Sequence, residues 1–173
     1  MIDYISNNPE LCISLLAFAV ALFSLIQQRK HDRLSLRPLA VIRFTDFDDF
    51  LLIKLKNAGI GPMIVTRLET KHVESGVIMG YPIEWFENKS YIWNNFRKPS
   101  GDYVLSVDEE VSLLDYSIQP YEGQTKEHRK HDIVLIREIL KDLSIKVEYK
   151  DIYNKRQKAE VKKLNWFGRQ NRI

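Results

Sequence analysis

The feature that most constrains this chain is an uncharged run of sixteen residues near its start, LCISLLAFAVALFSLI at positions 11–26. As a helix rising ~1.5 Å per residue it covers roughly 24 Å, so flanking residues must extend it to cross a ~30 Å hydrocarbon core. Pro9 suits a first helical turn, Asn7 or Asn8 can cap it, and Gln27 and Gln28 can carry it into the headgroups. A cleaved signal peptide needs a basic segment before the apolar run, and here Asp3 and Glu10 precede it with no Lys or Arg. The run therefore reads as a single transmembrane anchor rather than a signal peptide or a buried core helix. Arg29, Lys30, Arg33 and Arg37 follow the span. Cytoplasmic flanks carry the excess of Lys and Arg, so the N-terminus is expected outside the cell membrane and the rest of the chain in the cytoplasm. The same four cations suit anionic headgroups.

One stripe of the span is built from small and polar residues. Ser14, Ala17, Ala21, Ser24 and Gln28 recur at spacings of three and four. Small residues let helices approach closely in lipid, and Gln can hydrogen-bond across an interface, so a homo-oligomer is expected.

Residues 1–37 form the anchor and basic juxtamembrane segment, residues 38–165 one cytosolic domain, and residues 166–173 a basic aromatic tail. The domain is long enough for a hydrophobic core of its own. A net charge of +3 gives no argument for nucleic acid. Cys12, inside the span, is the only cysteine, so the soluble part can form no disulfide.

The domain reads as mainly β. Ile42 and Phe44 face one side of a first strand, and an acidic turn at residues 45–49 follows. In FLLIKLK, Leu51, Ile53 and Leu55 alternate with Lys54 and Lys56, the period of a half-buried strand. The turn Asn57-Ala-Gly-Ile-Gly-Pro62 follows, and Ile64, Thr66 and Leu68 are expected to share the next inward face. Positions 77–81, 103–107 and 110–116 are further strands. SIKVEYK at 144–150 turns Ile145, Val147 and Tyr149 inward, and Gln157, Ala159 and Val161 alternate on a polar edge strand. One helix, from about Glu127 or Asp132 to Leu143, carries the stripe Ile133, Ile136, Leu140, Leu143. Seven or eight short strands with one inserted helix predict an antiparallel β-sandwich.

LKNAGIGPMIV at residues 55–65 resembles the N-x-G-x-G-P turn of uncharacterised bacterial single-pass membrane proteins. In those, one N-terminal transmembrane helix, a basic stretch and Arg-Pro lead into an immunoglobulin-like cytosolic β-sandwich. Arg37-Pro38, VDEEVSLLDY at 107–116 and VEYKDIYNKR at 147–156 resemble later elements of the pattern, while Met63 departs from its usual small residue. The resemblance implies fold and topology and supplies no catalytic residues.

Chemistry is sparse. The glycine turn lacks a third Gly and a Lys-Ser or Lys-Thr, and a strand follows it, so it is no phosphate loop. His128 and His131 with Glu127 and Asp132 have a metal-compatible spacing, but Arg129 and Lys130 sit among them. Asp46, Asp48 and Asp49 lack the Gly and trailing Glu of a calcium loop. No G-x-S-x-G occurs. The reading is a non-enzyme without a cofactor. The segment 81–96 holds Tyr81, Trp85, Phe86, Tyr91, Trp93 and Phe96, six rings in sixteen residues. It serves either as a recognition surface for a cytosolic protein or small ligand or as a lid whose rings plug the core. The tail, with Lys162, Lys163, Trp166, Phe167, Arg169 and Arg172, fits a frayed end or contact with the inner leaflet or nucleic acid. The functional expectation is a membrane-anchored binding module. The alternative is an oligomerising membrane effector, as in bacterial anti-phage systems, which perturbs the bilayer when its cytosolic domain is triggered.

Overall fold

The computed structural model describes residues 9–86, 91–98, 101–119 and 125–171. The chain divides into two compact units, Met1–Arg37 and Pro38–Ile173. Among its described residues the first holds one helix, α1 (Pro9–Ser35), with Pro9 as its first residue. It is long and apolar enough to cross a membrane. The helix runs on through Gln27 and Gln28, so Arg29, Lys30 and Arg33 lie on its last turns.

Among the described residues, the second unit holds nine strands in two antiparallel sheets. One sheet has the order β1 (Ala40–Asp46), β2 (Phe50–Asn57), β7 (Glu110–Ser117), β5 (Asn95–Phe96). The other has the order β4 (Ile78–Met79), β3 (Met63–His72), β8 (Leu143–Lys150), β9 (Glu160–Lys163), with β6 (Tyr103–Leu105) also paired to β3. Short 3-10 turns span Pro82–Phe86 and Asn165–Asn171. The inward rows of both sheets meet in one core, to which the helix α2 (Lys126–Leu140) adds Ile133, Ile136 and Leu140. Leu51, Ile53 and Leu55 are fully buried, each worth about 1.5–3 kcal/mol of burial.

Three departures from simple periodicity have local causes. On β3 the inward residues are Met63, Val65, Leu68 and Thr70, so of the expected Ile64, Thr66 and Leu68 only Leu68 is buried. A bulge at Thr66 shifts the register against β8, so Val65 faces Tyr149 and Arg67 faces Glu148. A second irregularity, between Ile53 and Lys54 against β7, lets the neighbours Leu113 and Leu114 both be buried. The helix starts at Lys126, where the Thr125 side chain accepts the His128 N–H, and ends at Leu140. Leu143 still reaches the core, as the first residue of β8 opposite His72.

The edge strand β9 runs over Glu160–Lys163, so Gln157 and Ala159 precede it, and Val161 on it is exposed. The described part of the tail, up to Asn171, is not a frayed end. Leu164 and Phe167 are fully buried, and Phe44 of β1 packs its ring 5.6 Å from Phe167 and 6.1 Å from Trp166. Arg169 stacks on Trp166 and donates to the Asp46 carbonyl at 3.0 Å. Asp46 is likewise no hairpin-tip residue. Its side chain is buried against Arg137, Nε to Oδ1 at 2.8 Å, and this pair ties α2 to the end of β1.

Candidate functional site

The six rings of the aromatic segment do not form one surface. Tyr81 and Phe86 are buried, Trp85, Tyr91 and Trp93 are half-buried against the core, and only Phe96 is exposed. Phe86, Tyr91, Trp93 and Tyr116 pack edge to face, with Trp93 5.0 Å from Phe86 and 5.5 Å from Tyr116. The packing reason lies on β7 and α2. Arg129, nearly fully buried, lies over the Tyr116 ring and donates through Nε to the Ser117 carbonyl at 2.7 Å. The Tyr116 hydroxyl donates to Asp132 at 3.0 Å, and burial pushes that phenol's pKa up. Rings from the segment cover this polar cluster. Of the two roles open to the segment, a recognition surface or a lid that plugs the core, the burial of Tyr81 and Phe86 fits the plug, with Phe96 the one exposed ring.

One end of the segment borders an opening. On the side of β3 away from β8, β6 pairs with residues 63–65 and β4 with residues 70–71. Between them, among the described residues, no strand pairs with residues 66–69. A cavity of about 220 Å³ occupies this notch, lined by Val65, Arg67, Leu68, Tyr81 and Tyr103 with Gly80 and Gly101 at its rim. The flanks are fixed from both sides. The Glu84 carboxylate accepts the Gly80 and Tyr81 N–H groups at 3.0 and 2.8 Å, and Thr70 donates its hydroxyl to the Gly80 carbonyl. A Cβ on Gly80 would sit 2.5 Å from Glu84 Oε1, so a larger residue there would displace the end of the Glu84 side chain. Gly101 has φ +75°, a left-handed turn that brings Tyr103 into β6.

The Arg97 guanidinium stacks 3.7 Å from the Tyr103 ring centroid. Its Nε is shut from solvent without a hydrogen-bond partner among the described residues. Burial, and the neighbouring Tyr81, raise the Tyr103 pKa, so its hydroxyl stays protonated at neutral pH. The notch thus offers two aromatic walls and an open sheet edge, with a cation behind one ring. Sequence reading missed Gly80, Arg97, Gly101 and Tyr103. The only signal was a glycine close before each of two tyrosines.

Among the described residues no three His, Cys, Asp or Glu side chains gather in metal-binding geometry. His128 is exposed, 4.0 Å from Asp132. On α1, Ser14, Ala17, Ala21, Ser24 and Gln28 are exposed, as are Arg29, Lys30, Arg33 and, beyond the helix, Arg37. The Ser14 hydroxyl donates to the Glu10 carbonyl of its own helix at 2.8 Å.

The N-x-G-x-G-P turn proves to be scaffolding. Asn57 is fully buried, and its amide donates to the carbonyls of Gly61 (2.8 Å), Ser106 (3.1 Å) and Leu105 (3.2 Å). Its Oδ1 accepts the N–H groups of Gly59 (3.0 Å) and Leu39 (3.3 Å). One side chain therefore joins the start of β1, the β2–β3 turn and the β6–β7 turn. No family model, curated protein or solved structure matches the chain.

Proposed function

We propose that the protein is a membrane-anchored binding module, with an immunoglobulin-like sandwich held in the cytoplasm by α1 and the notch on β3 as its recognition site. The strand orders support the sandwich reading. Lettering β1, β2, β3, β4, β5, β7, β8 and β9 as A, B, C, C′, D, E, F and G turns the two sheets into A-B-E-D and C′-C-F-G. The charge step after the span supports a cytoplasmic domain.

The observation that carries the binding reading is the notch, where a sheet edge is left open between two rigidly held tyrosines. At about 220 Å³ it is smaller than pockets for drug-sized ligands, ~300–1,000 Å³, and matches one inserted side chain of a partner protein. Backbone at residues 66–69 would supply hydrogen bonds to the partner's main chain, and Tyr81 and Tyr103 its apolar grip. The effector alternative relies on the span, where Ser14 already spends its hydroxyl on its own helix.

A photo-crosslinking residue placed at Tyr103 in the full chain in cells tests this. A discrete adduct, absent when the same residue replaces the outward-facing Val161, is expected. Equal labelling at both positions, or none at Tyr103, refutes the site. Depolarisation on expression that disappears when the span is exchanged for an unrelated one would instead favour the effector.

A further inference from the structure

The sheet registers gather four loops at one end of the domain. β1 begins there opposite Asn57, Lys56 pairs with Glu110 at the start of β7, and Ile64 pairs with Lys150 at the end of β8. This end exposes Leu39 (53 %), Ile60 (69 %), Val107 (47 %), Ile152 (48 %) and Tyr153 (46 %), each from a different loop except the last two. Beside Ile152 and Tyr153 stand Lys155, Arg156 and Lys158, all exposed, and among the described residues none of the three is in an ion pair. Acids at this end are engaged. Asp108 pairs with Lys56 at 3.0 Å, Glu109 accepts the Ser106 N–H, and Asp151 is buried in its own loop.

We infer that this end docks onto an anionic bilayer surface, Ile152 and Tyr153 entering the headgroup region and Lys155, Arg156 and Lys158 meeting lipid phosphates. The inference rests on the membrane-anchor reading of α1. Two observations choose lipid as the occupant. Only three residues lie between Ser35, the last helical residue, and Leu39, so four extended steps, ~14 Å of chain, are the most that separate them, whatever angle the two units adopt. The charge at this end is also complementary, with Lys155, Arg156 and Lys158 beside the exposed Ile152 and Tyr153. At the opposite end the β1–β2 and β3–β4 hairpin tips also expose Phe47, Val77 and Ile78, but they carry Asp48, Asp49 and Glu74. Apolar side chains ringed by Lys and Arg are the pattern of interfacial anchors, and each cation near an anionic surface favours the docked state roughly five-fold.

The test uses the full chain in nanodiscs of phosphatidylcholine with or without phosphatidylserine. In a Cys12→Ser background, Ile152→Cys carries an environment-sensitive fluorophore, and Phe47→Cys carries it in the control. With phosphatidylserine, the label at 152 is expected to shift to the blue and to be quenched by lipids spin-labelled near the headgroup, while the label at 47 does neither. Lys155→Glu, Arg156→Glu and Lys158→Glu together should lower the docked-to-undocked ratio on the order of 100-fold. No quenching at 152, or equal quenching at 47 and 152, overturns the docking. Carbonate resistance of the native protein in cell membranes reports the anchor separately. Resistance without quenching sinks the docking alone, and extraction by carbonate sinks both.

Discussion

Replacing Asn57 by Ala tests whether the turn motif is scaffolding. The substitution removes an amide with no solvent exposure that bonds to five backbone groups. These losses are unequal. The N–H groups of Leu39 and Gly59 lie in residues that are exposed or half-buried, so water can replace Oδ1 at little cost. The carbonyls of Gly61 and Leu105 belong to buried residues and lose their side-chain donor. Each buried polar group left unsatisfied costs about 1–3 kcal/mol, so the variant should lose about 2–6 kcal/mol. Asn57→Asp should be no better, because it keeps the acceptor but turns a second oxygen toward three carbonyls. Urea unfolding in mild detergent, followed by the fluorescence of the three tryptophans, reads the difference. A loss under about 1 kcal/mol for Asn57→Ala, comparable to an ordinary surface substitution, would refute the scaffolding argument.

Arg137→Met should cost about 3–5 kcal/mol in the same urea assay, because it strands the buried Asp46 carboxylate, and adding Asp46→Leu should recover most of it. Tyr116 has a folded pKa raised above the ordinary value of about 10, so the stability it contributes is present below pH ~10 and is lost as pH rises toward the folded value. Tyr116→Phe, whatever it costs at neutral pH, should reduce the alkaline slope of unfolding free energy by about 1.4 kcal/mol per pH unit, and an unchanged slope would show the phenol ionises equally in both states. Ala17→Ile with Ala21→Ile should dissociate a detergent-solubilised oligomer seen by native mass spectrometry, whereas Leu16→Ile with Phe18→Ile should not; monomer in every sample would mean the stripe is incidental. Asp151→Ala should speed hydrogen exchange at the Tyr153 and Lys155 amides at least ten-fold while leaving the β8 core unchanged, since both N–H groups bond to the lost carboxylate.

Strands whose two faces meet different surroundings were legible in the sequence. Leu51, Ile53 and Leu55, and Ile145, Val147 and Tyr149, alternate cleanly and are buried as read. Bulges were not legible, because a bulge at Thr66 inverts the pattern for only one strand's half and leaves no composition signal. The helix end was misplaced for a related reason. Leu143 has the spacing of the helical stripe and the burial of a core residue, and only its pairing with His72 decides for a strand. Asp46 looked like a turn acid because its partner Arg137 lies 91 positions away. The tail likewise gave no sign of Phe44 waiting for Phe167. The notch was beyond reach of sequence, since it exists only where β4 and β6 fail to meet along β3. The aromatic density of residues 81–96 did point to that side of the domain, but most of those rings fill space between the plug and Tyr116.

The two buried side chains at the loop end separate folding from presentation. Asn57 fixes the β2–β3 and β6–β7 turns from inside, and Asp151 does the same for the β8–β9 loop. Its carboxylate accepts the N–H groups of Tyr153 and Lys155 and the Gln157 side-chain amide, each at 2.9 Å, and Asn154 takes a left-handed φ of +63° to close the turn. Neither hub uses the side chains of Ile60, Val107 or Ile152, which therefore contribute exposed apolar surface without holding the backbone that carries them. A chain selected only for folding gains nothing from exposing apolar groups on loops already fixed by buried amides and carboxylates. Such loops hold their tips in one conformation before any contact is made, so docking loses little conformational entropy. For the same reason Ile152→Ser or Lys155→Glu alters the tip while leaving the hub bonds intact, and a change in docking on these substitutions reads the surface rather than the fold.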